Sequence, residues 1–384
     1  MYIHDLNEWP ALRWDIKRLQ PFIEQAKELQ TELFEQLSKS CFDELEESLR
    51  SEASLEMLTQ EVVKTSEIEG QNLDPEQVRS SIAVKLGLDL GGLRKQQIEQ
   101  KDRSVDGIVD VVLDATQNWK EPLTKDRLYK WHHWLFPAGY SELGKITVAQ
   151  WREGSIQVIS SPFRKQKVHF EGPAALRLPA EMETFLNWFE SPQDIDPILK
   201  AGVAHLYFVT LHPFEDGNGR IARAIADLAM ARADGVNQRF YSMSAQIRAD
   251  RKEYYIQLEQ TQKGTLDITN WLEWFLRCLI RSLLWAQQAL HAVIRKADVL
   301  REMKQLELNE RQYKIMIKYL NGGFGDLLNS TKYKFTAICS PDTANRDLKE
   351  LVELGILERT GQGKKTSYKI SGAISGSIQS EMSL

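Results

Sequence analysis

The stretch His212-Pro213-Phe214-Glu215-Asp216-Gly217-Asn218-Gly219-Arg220-Ile221-Ala222-Arg223 decides how the rest of this 384-residue chain is read. It reads as a loop that becomes a helix. His212 and Pro213 close a largely apolar run from Ala204 to Leu211, because a proline pushes the preceding residue out of the helical region. Gly217 and Gly219 predict a tight turn whose amides can approach a ligand closely. The helix expected from about Arg220 through Ala233 opens with free N–H groups at the positive end of its dipole, which makes an anion site. Arg220 and Arg223 lie three apart and share one face of the first turn. One turn of chain thus gathers a candidate base (His212), a candidate Mg²⁺ ligand (Asp216), an amide nest and two guanidiniums. Transfer of a phosphorus-containing group needs this inventory.

The same stretch resembles the signature of Fic-domain proteins, His-Pro-Phe-x-[Asp/Glu]-Gly-Asn-Gly-Arg-x-x-Arg, at every position. The resemblance implies a protein adenylyltransferase, an enzyme that moves AMP from ATP to a Ser, Thr or Tyr hydroxyl of another protein. It implies His212 as the base and Asp216 as the ligand of a Mg²⁺ bridging the α- and β-phosphates. ATP would be bound by Gly217, Asn218, Gly219, Arg220, Ile221, Ala222 and Arg223. Histidine suits the first role because an ordinary imidazole, with a pKa of roughly 6.5, is neutral and basic near pH 7. No Gly-x-x-x-x-Gly-Lys-[Ser/Thr] is present, so a Walker-type NTPase is not supported.

Upstream, Ile16, Leu19, Phe22, Ile23, Ala26, Leu29, Leu33 and Leu37 recur at helical spacing, with Asp15 as an N-cap and Pro21 as an alternative first turn. Residues 1–14 read as an aromatic cap. A second helical pattern over 41–69 stops at Gly70, and Asp74-Pro75 starts a third helix. The end of the second pattern, Thr65-Ser66-Glu67-Ile68-Glu69-Gly70, resembles the inhibitory motif of Fic proteins, [Ser/Thr]-x-x-x-Glu-[Gly/Asn]. By that resemblance an inhibitory helix over about 55–70 presents Glu69 to Arg223; read alone, Glu69 is an acidic residue at a helix end.

Helices are expected over 106–119 and 124–136, the adjacent His132 and His133 taking core or surface roles rather than ligand roles. From 154 to 170 the period changes to two, which predicts a β-hairpin. In Fic proteins such a hairpin, the flap, clamps the target peptide by strand addition. Further helices are expected over 179–190, from Pro197 to Leu211, and from about Asn270 to Met303. Tyr254 either stands near the nucleotide, as the resemblance implies, or serves aromatic packing. Beyond residue 305, three short helices and a two-stranded ribbon resemble a winged helix-turn-helix, with Ser340–Leu354 as its recognition helix. Lys332, Lys334, Arg346, Lys364 and Lys365 are candidates to face phosphates, against Asp342, Asp347, Glu350 and Glu353 on the same helix.

The fold expected is therefore mainly α: an N-terminal helical region (1–100), a Fic helical core with a β-hairpin flap (101–300), a C-terminal winged helix-turn-helix (305–372) and a loose tail (373–384). The function expected is AMPylation autoinhibited by Glu69. The rivals are a DNA-binding regulator with a nucleotide-sensing core, de-AMPylation, and transfer of another phosphate-containing group. Expected partners are ATP, Mg²⁺ and a protein substrate on the 154–170 flap, with DNA or protein at the winged helix and a homo-oligomer left open. A net charge of −5 gives no global nucleic-acid signature, and 42% hydrophobic residues argue against wholesale disorder. Three scattered cysteines, Cys41, Cys278 and Cys339, fit no disulfide framework and agree with a cytoplasmic setting. No signal peptide is read at the start, and no apolar run reaches membrane-spanning length.

Overall fold

The computed structural model describes residues 1–39, 44–88, 103–142, 144–160, 167–192, 194–236, 240–320, 324, 327–361, 363 and 366–371. The tip of the expected flap turn, Lys364, Lys365 and the tail lie outside the described residues. The chain divides into two compact units, Met1–Ser40 with Ser51–Gln287, and Cys41–Arg50 with Gln288–Leu384.

In the first unit, α7 (Pro197–Leu211) is the central helix. Asp196 caps it by accepting from the Ile198 N–H, Pro197 opens it, and every residue from Ala201 to Leu211 is buried. A helix apolar all round must be packed on all sides. It packs on α8 (Asn218–Asp234), while α4 (Arg103–Gln117) and α5 (Lys125–Leu135) pack against each other and against α8. Gly202 lets α11 (Thr269–Gln305) come close enough for Trp271 Nε1 to donate to its carbonyl at 2.8 Å. Also present are α1 (Ile16–Lys39), α3 (Pro75–Leu86), α6 (Leu178–Glu190), α9 (Met243–Ala249), α10 (Arg251–Gln262) and α2 (Glu44–Ile68) from Ser51 onward, and α11 belongs to this unit as far as Gln287. Helix α1 starts at Ile16, with the Asp15 carboxylate accepting from the Lys17 amide, and Pro21 lies inside it. Residues 1–14 hold a 3₁₀ turn over Ile3–Asp5 and a hydrogen-bonded turn over residues 7–10, and form no longer helix.

The N-terminal residues belong to the same unit as the signature helix. The Arg13 amide donates to Leu266 O at 2.8 Å and Trp9 Nε1 to Glu181 at 2.9 Å. Two antiparallel hairpins complete the unit: β1 (Tyr140–Ser141) with β2 (Gly144–Lys145), and the expected flap, β3 (Gln157–Ser160) with β4 (Lys167–Glu171). The flap register slips between Val158 and Ile159, a bulge that increases its twist.

Helices α4 and α5 are locked by Asp114. Its carboxylate accepts from Arg127 Nε and Trp131 Nε1, both at 2.7 Å, and from Asn118 at 3.0 Å. Burial alone would push this carboxyl up, but the three donors outweigh it and hold it below its ordinary range. Asp114→Ala strands the buried Arg127, so a loss of about 3–5 kcal/mol is expected in chemical denaturation, against well under 1 kcal/mol for truncating the exposed Glu183.

The second unit holds α12 (Glu310–Leu320), α13 (Ser330–Ala337), α14 (Pro341–Glu353) and the antiparallel pair β5 (Leu357–Thr360) and β6 (Ser367–Ile370). Helix α13 turns into α14 through Ile338 in the left-handed region (φ 50°), Cys339 and the N-cap Ser340. Leu328 bridges to Tyr368 beside the hairpin. The core is built on Met316, Leu328, Tyr333, Leu348, Leu351 and Ile356. At its centre the buried Asp347 accepts from Tyr333 Oη at 2.9 Å and Arg311 Nε at 3.1 Å. Among the described residues no helix is long and apolar enough to cross a membrane.

Candidate active site

The signature forms the turn between α7 and α8. His212 ends α7 in the left-handed region (φ 49°, ψ 54°), its amide closing on Phe208 O. Its Nδ1 lies 3.0 Å from Val209 O. A carbonyl only accepts, so Nδ1 carries the proton and Nε2 keeps its lone pair. Burial is the main influence on this imidazole and pulls its pKa below the ordinary value; the Val209 carbonyl, Glu69 and Asp216 act upward and Arg152 downward. His212 is therefore a neutral base, poised to accept a proton on Nε2.

Pro213 and Phe214 lead into a loop that Asn218 staples shut. Its side-chain oxygen accepts from the Phe214 N–H at 2.9 Å and its nitrogen donates to Phe214 O at 2.8 Å. Gly217 caps α8 with φ 80°, and a Cβ there would lie 2.8 Å from the Phe136 ring, so only glycine fits. The Asp216 carboxylate accepts from the Gly217 N–H at 2.5 Å and is 31% exposed. Among the described residues no group of three or more His, Cys, Asp or Glu gathers around a cation. One accessible carboxylate suits Mg²⁺, which takes one or two carboxylates and completes its shell with substrate phosphates and water.

Both arginines converge on this turn. Arg223 is 3% exposed; its Nε donates to Thr65 Oγ1 at 2.7 Å, and Nη2 donates to Thr65 O at 2.9 Å and to Glu69 Oε1 at 2.7 Å. Its Nη1 has no hydrogen-bond partner among the described residues and lies 3.3 Å from where a Cβ on Gly219 would stand. The same Cβ position is 2.2 Å from Glu69 Oε1, so the Glu69 carboxylate sits against the first turn of α8, at the anion site itself. Burial alone would raise the Glu69 pKa, but Arg223 overrides it and holds the carboxyl below its ordinary range; burial would lower that of Arg223, and Glu69 holds it up. Arg220 donates to Gln71 Oε1 at 2.9 Å and stacks on Phe136 at 4.9 Å, leaving its buried Nε without a partner among the described residues.

The segment carrying Glu69 is the end of α2, and it is tied down at several points. The buried Glu61 accepts from Ser242 Oγ at 2.7 Å and from the Ser244 amide at 3.1 Å, at the start of α9. Glu67 pairs with Arg248 at 3.1 Å, and Tyr255 Oη donates to Ile68 O at 3.2 Å.

Ile221 and Ala222 are fully buried, and the Ile221 amide closes the helix on Gly217 O, so both serve the packing of α8. Tyr254 is 1% exposed, its hydroxyl 2.9 Å from His205 Nε2 and its ring against Trp271 and Trp274, and its phenol also bears on the Arg223 guanidinium. Sequence reasoning missed three contributors. Gln71 meets Arg220 from the segment beyond α2. His132 stacks on Phe214 at 4.1 Å, accepts from the Ala149 amide and meets Asp216 O at 3.2 Å; burial lowers its pKa to about 4, so it is a neutral prop for the loop. The third, Arg152, holds the carbonyl of His212 at 2.8 Å.

Comparison with known proteins finds a family match over the signature. Residues 122–230 match the model of the Fic/DOC family, and residues 2–88 match a domain of unknown function, DUF4172. A protein adenylyltransferase Fic of Nematostella vectensis is 34% identical over 113 residues, 29% of this chain and 25% of that protein. One from Culex quinquefasciatus is 25% identical over 248 residues, 62% of this chain and 44% of that protein. The chain thus spans about a quarter to under half the length of these curated relatives. A Fic family protein from Desulfovibrio desulfuricans superposes with a TM-score of 0.51 at 20% identity, covering 92% of this chain and 96% of that one, which supports the helical fold with its hairpin.

Proposed function

We propose that this chain, which carries a Fic/DOC-family domain over residues 122–230, transfers AMP from ATP to a hydroxyl of a target protein and is restrained by its own Glu69. The observation that carries the reading is the tautomer of His212, with Nε2 left free at the lip of an anion site lined by Arg220 and Arg223. The target's hydroxyl oxygen forms a bond to the α-phosphorus, the bond to the bridging oxygen breaks, and pyrophosphate leaves. The hydroxyl proton goes to His212 Nε2. The α8 amides and the two arginines neutralise the phosphates, and most of the catalysis is this fixed charge and alignment. Asp216 would hold a Mg²⁺, which would supply further charge neutralisation on the phosphate oxygens. The flap offers the target backbone its edge, as strand addition requires.

The test is incubation with α-labelled ATP and Mg²⁺, wild type beside Glu69→Gly, with cell lysate as the source of target. Label on protein in the variant supports the reading; label on neither lysate nor enzyme excludes it. Asp216→Ala should lower transfer by about tenfold or more at low Mg²⁺ and recover in part at excess Mg²⁺, because one oxygen ligand of several is lost. Equal activity of the variant at low Mg²⁺ would remove Asp216 from the metal site.

The C-terminal unit bears on the DNA-binding alternative. On α14 the acidic Asp347 is buried and Glu350 is held by Gln312 at 2.8 Å, while the exposed face carries Asn345, Arg346 and Lys349 together with Asp342 and Glu353, the last paired with Lys349 at 3.5 Å. A face of mixed charge gives duplex DNA no net attraction, and contact by this unit would be recognised by log affinity falling linearly against log salt. Lys332 is committed elsewhere, to the carbonyls of Phe324 and Leu327.

A further inference from the structure

Arg152 is 3% exposed, yet no carboxylate lies within ion-pair reach of it among the described residues. A buried charge without a counter-ion is costly, and such a group persists only where other partners satisfy it. Here the partners are all backbone carbonyls. Nε donates to His212 O at 2.8 Å, Nη1 to Gly154 O at 2.6 Å and Nη2 to Pro173 O at 2.6 Å. Its own amide donates to Pro213 O at 2.8 Å.

The positions of those carbonyls matter. Gly154 stands just before the flap and Pro173 just after it, and the Gly172 amide closes the base of the hairpin on Ile156 O at 3.1 Å. His212 is the residue in the left-handed conformation that carries the base. A guanidinium has five donors in a rigid planar fork, and this one spans the two feet of the flap and the backbone of His212 at once. The neighbouring Trp151 packs on Phe214 at 5.0 Å, so the same short segment is also wedged into the signature loop.

We propose that Arg152 is a positioning residue that makes the flap and His212 one rigid piece, so that the target hydroxyl presented by the flap arrives in register with the base. The inference rests on the AMP-transfer reading. Its physical content is that alignment is set through backbone carbonyls, since these take the hydrogen bonds of the Arg152 guanidinium. Arg152 also helps keep His212 neutral, but any cation at that point would do so, whereas the bridging requires the fork.

The experiment separates these roles in full-length protein carrying Glu69→Gly. Arg152→Lys keeps the charge and loses the fork; Arg152→Gln loses both. Both should lower kcat for target modification by roughly 100-fold, the scale of a 1 Å misalignment, with ATP affinity, measured by calorimetry, within about twofold of the parent. Guanidinium chloride at low millimolar concentration should restore part of kcat in Arg152→Ala. Hydrogen exchange at the Gly172 amide and across β3 and β4 should quicken in all three variants, with exchange in α11 unchanged. A lysine variant with parental kcat and flap exchange would overturn the proposal, as would a loss of ATP affinity matching the loss of kcat. If the Glu69→Gly parent itself transfers no AMP, the functional reading fails, and the exchange measurement alone decides whether Arg152 ties the flap to His212.

Discussion

Replacing His212 by alanine is expected to lower AMP transfer by about 10²–10⁴-fold, the usual contribution of a positioned general base. ATP affinity should change little, because the phosphates are met by the α8 amides and by Arg220 and Arg223. The nearest other histidine in the sequence cannot take over. His205 is 1% exposed and bonded to the Tyr254 hydroxyl, and its burial pulls its pKa to about 3. The pH profile gives a second check. His212 works in its neutral form and its pKa is lowered by burial, so transfer should be intact at pH 7 and fail only as pH falls through a value below the ordinary 6.5. The alanine variant should lose that acidic limb along with the activity. Transfer at the wild-type rate by His212→Ala would exclude the mechanism.

What the sequence could and could not reveal follows from how far apart the interacting groups lie in the chain. The candidate base, the candidate metal carboxylate, the glycine turn and both arginines fall within residues 212–223, so their chemistry is visible as a string. Capping residues are visible for the same reason: Asp74, Thr124, Asp196 and Ser340 each accept from an amide two or three positions on. Glu69 was reachable only because a local pattern marked the end of its helix. The fork of Arg152 was not, since its three carbonyls come from residues 154, 173 and 212 and backbone acceptors leave no trace in residue type. His132 was similarly hidden, because a histidine that props a loop looks in sequence like any histidine in a helix. The acidic residues of α14 count against DNA contact in sequence; of the four, Asp347 is the polar centre of its own core, while Asp342 and Glu353 stay exposed. Residues of one sign on a helix say little until it is known which of them face inward.

Glu69→Gly should raise AMP incorporation by at least about tenfold. The Glu69 carboxylate is 2.7 Å from Arg223 Nη2 and lies over the first turn of α8, where an incoming γ-phosphate would seek the same donors. Two anions cannot share that site without cost, so ATP must displace Glu69 or bind tilted, with its α-phosphorus out of line for the hydroxyl. A charge-assisted pair of this kind is worth on the order of 1.5–3 kcal/mol. The Glu69 side chain is 31% exposed, so solvent screening favours the lower end, near the 1.4 kcal/mol that corresponds to tenfold. Thr65 would still hold Arg223 through its hydroxyl and carbonyl, which leaves the guanidinium aimed at the turn with a second nitrogen free for phosphate. Arg223→Ala in the same background should cancel the gain, because both changes act on one interaction and cannot add. AMP incorporation is to be measured in wild type, the two single variants and the double. Equal rates in wild type and Glu69→Gly would sink autoinhibition. Loss of AMP removal from a modified target in Glu69→Gly would instead assign the carboxylate to orienting water in the reverse reaction.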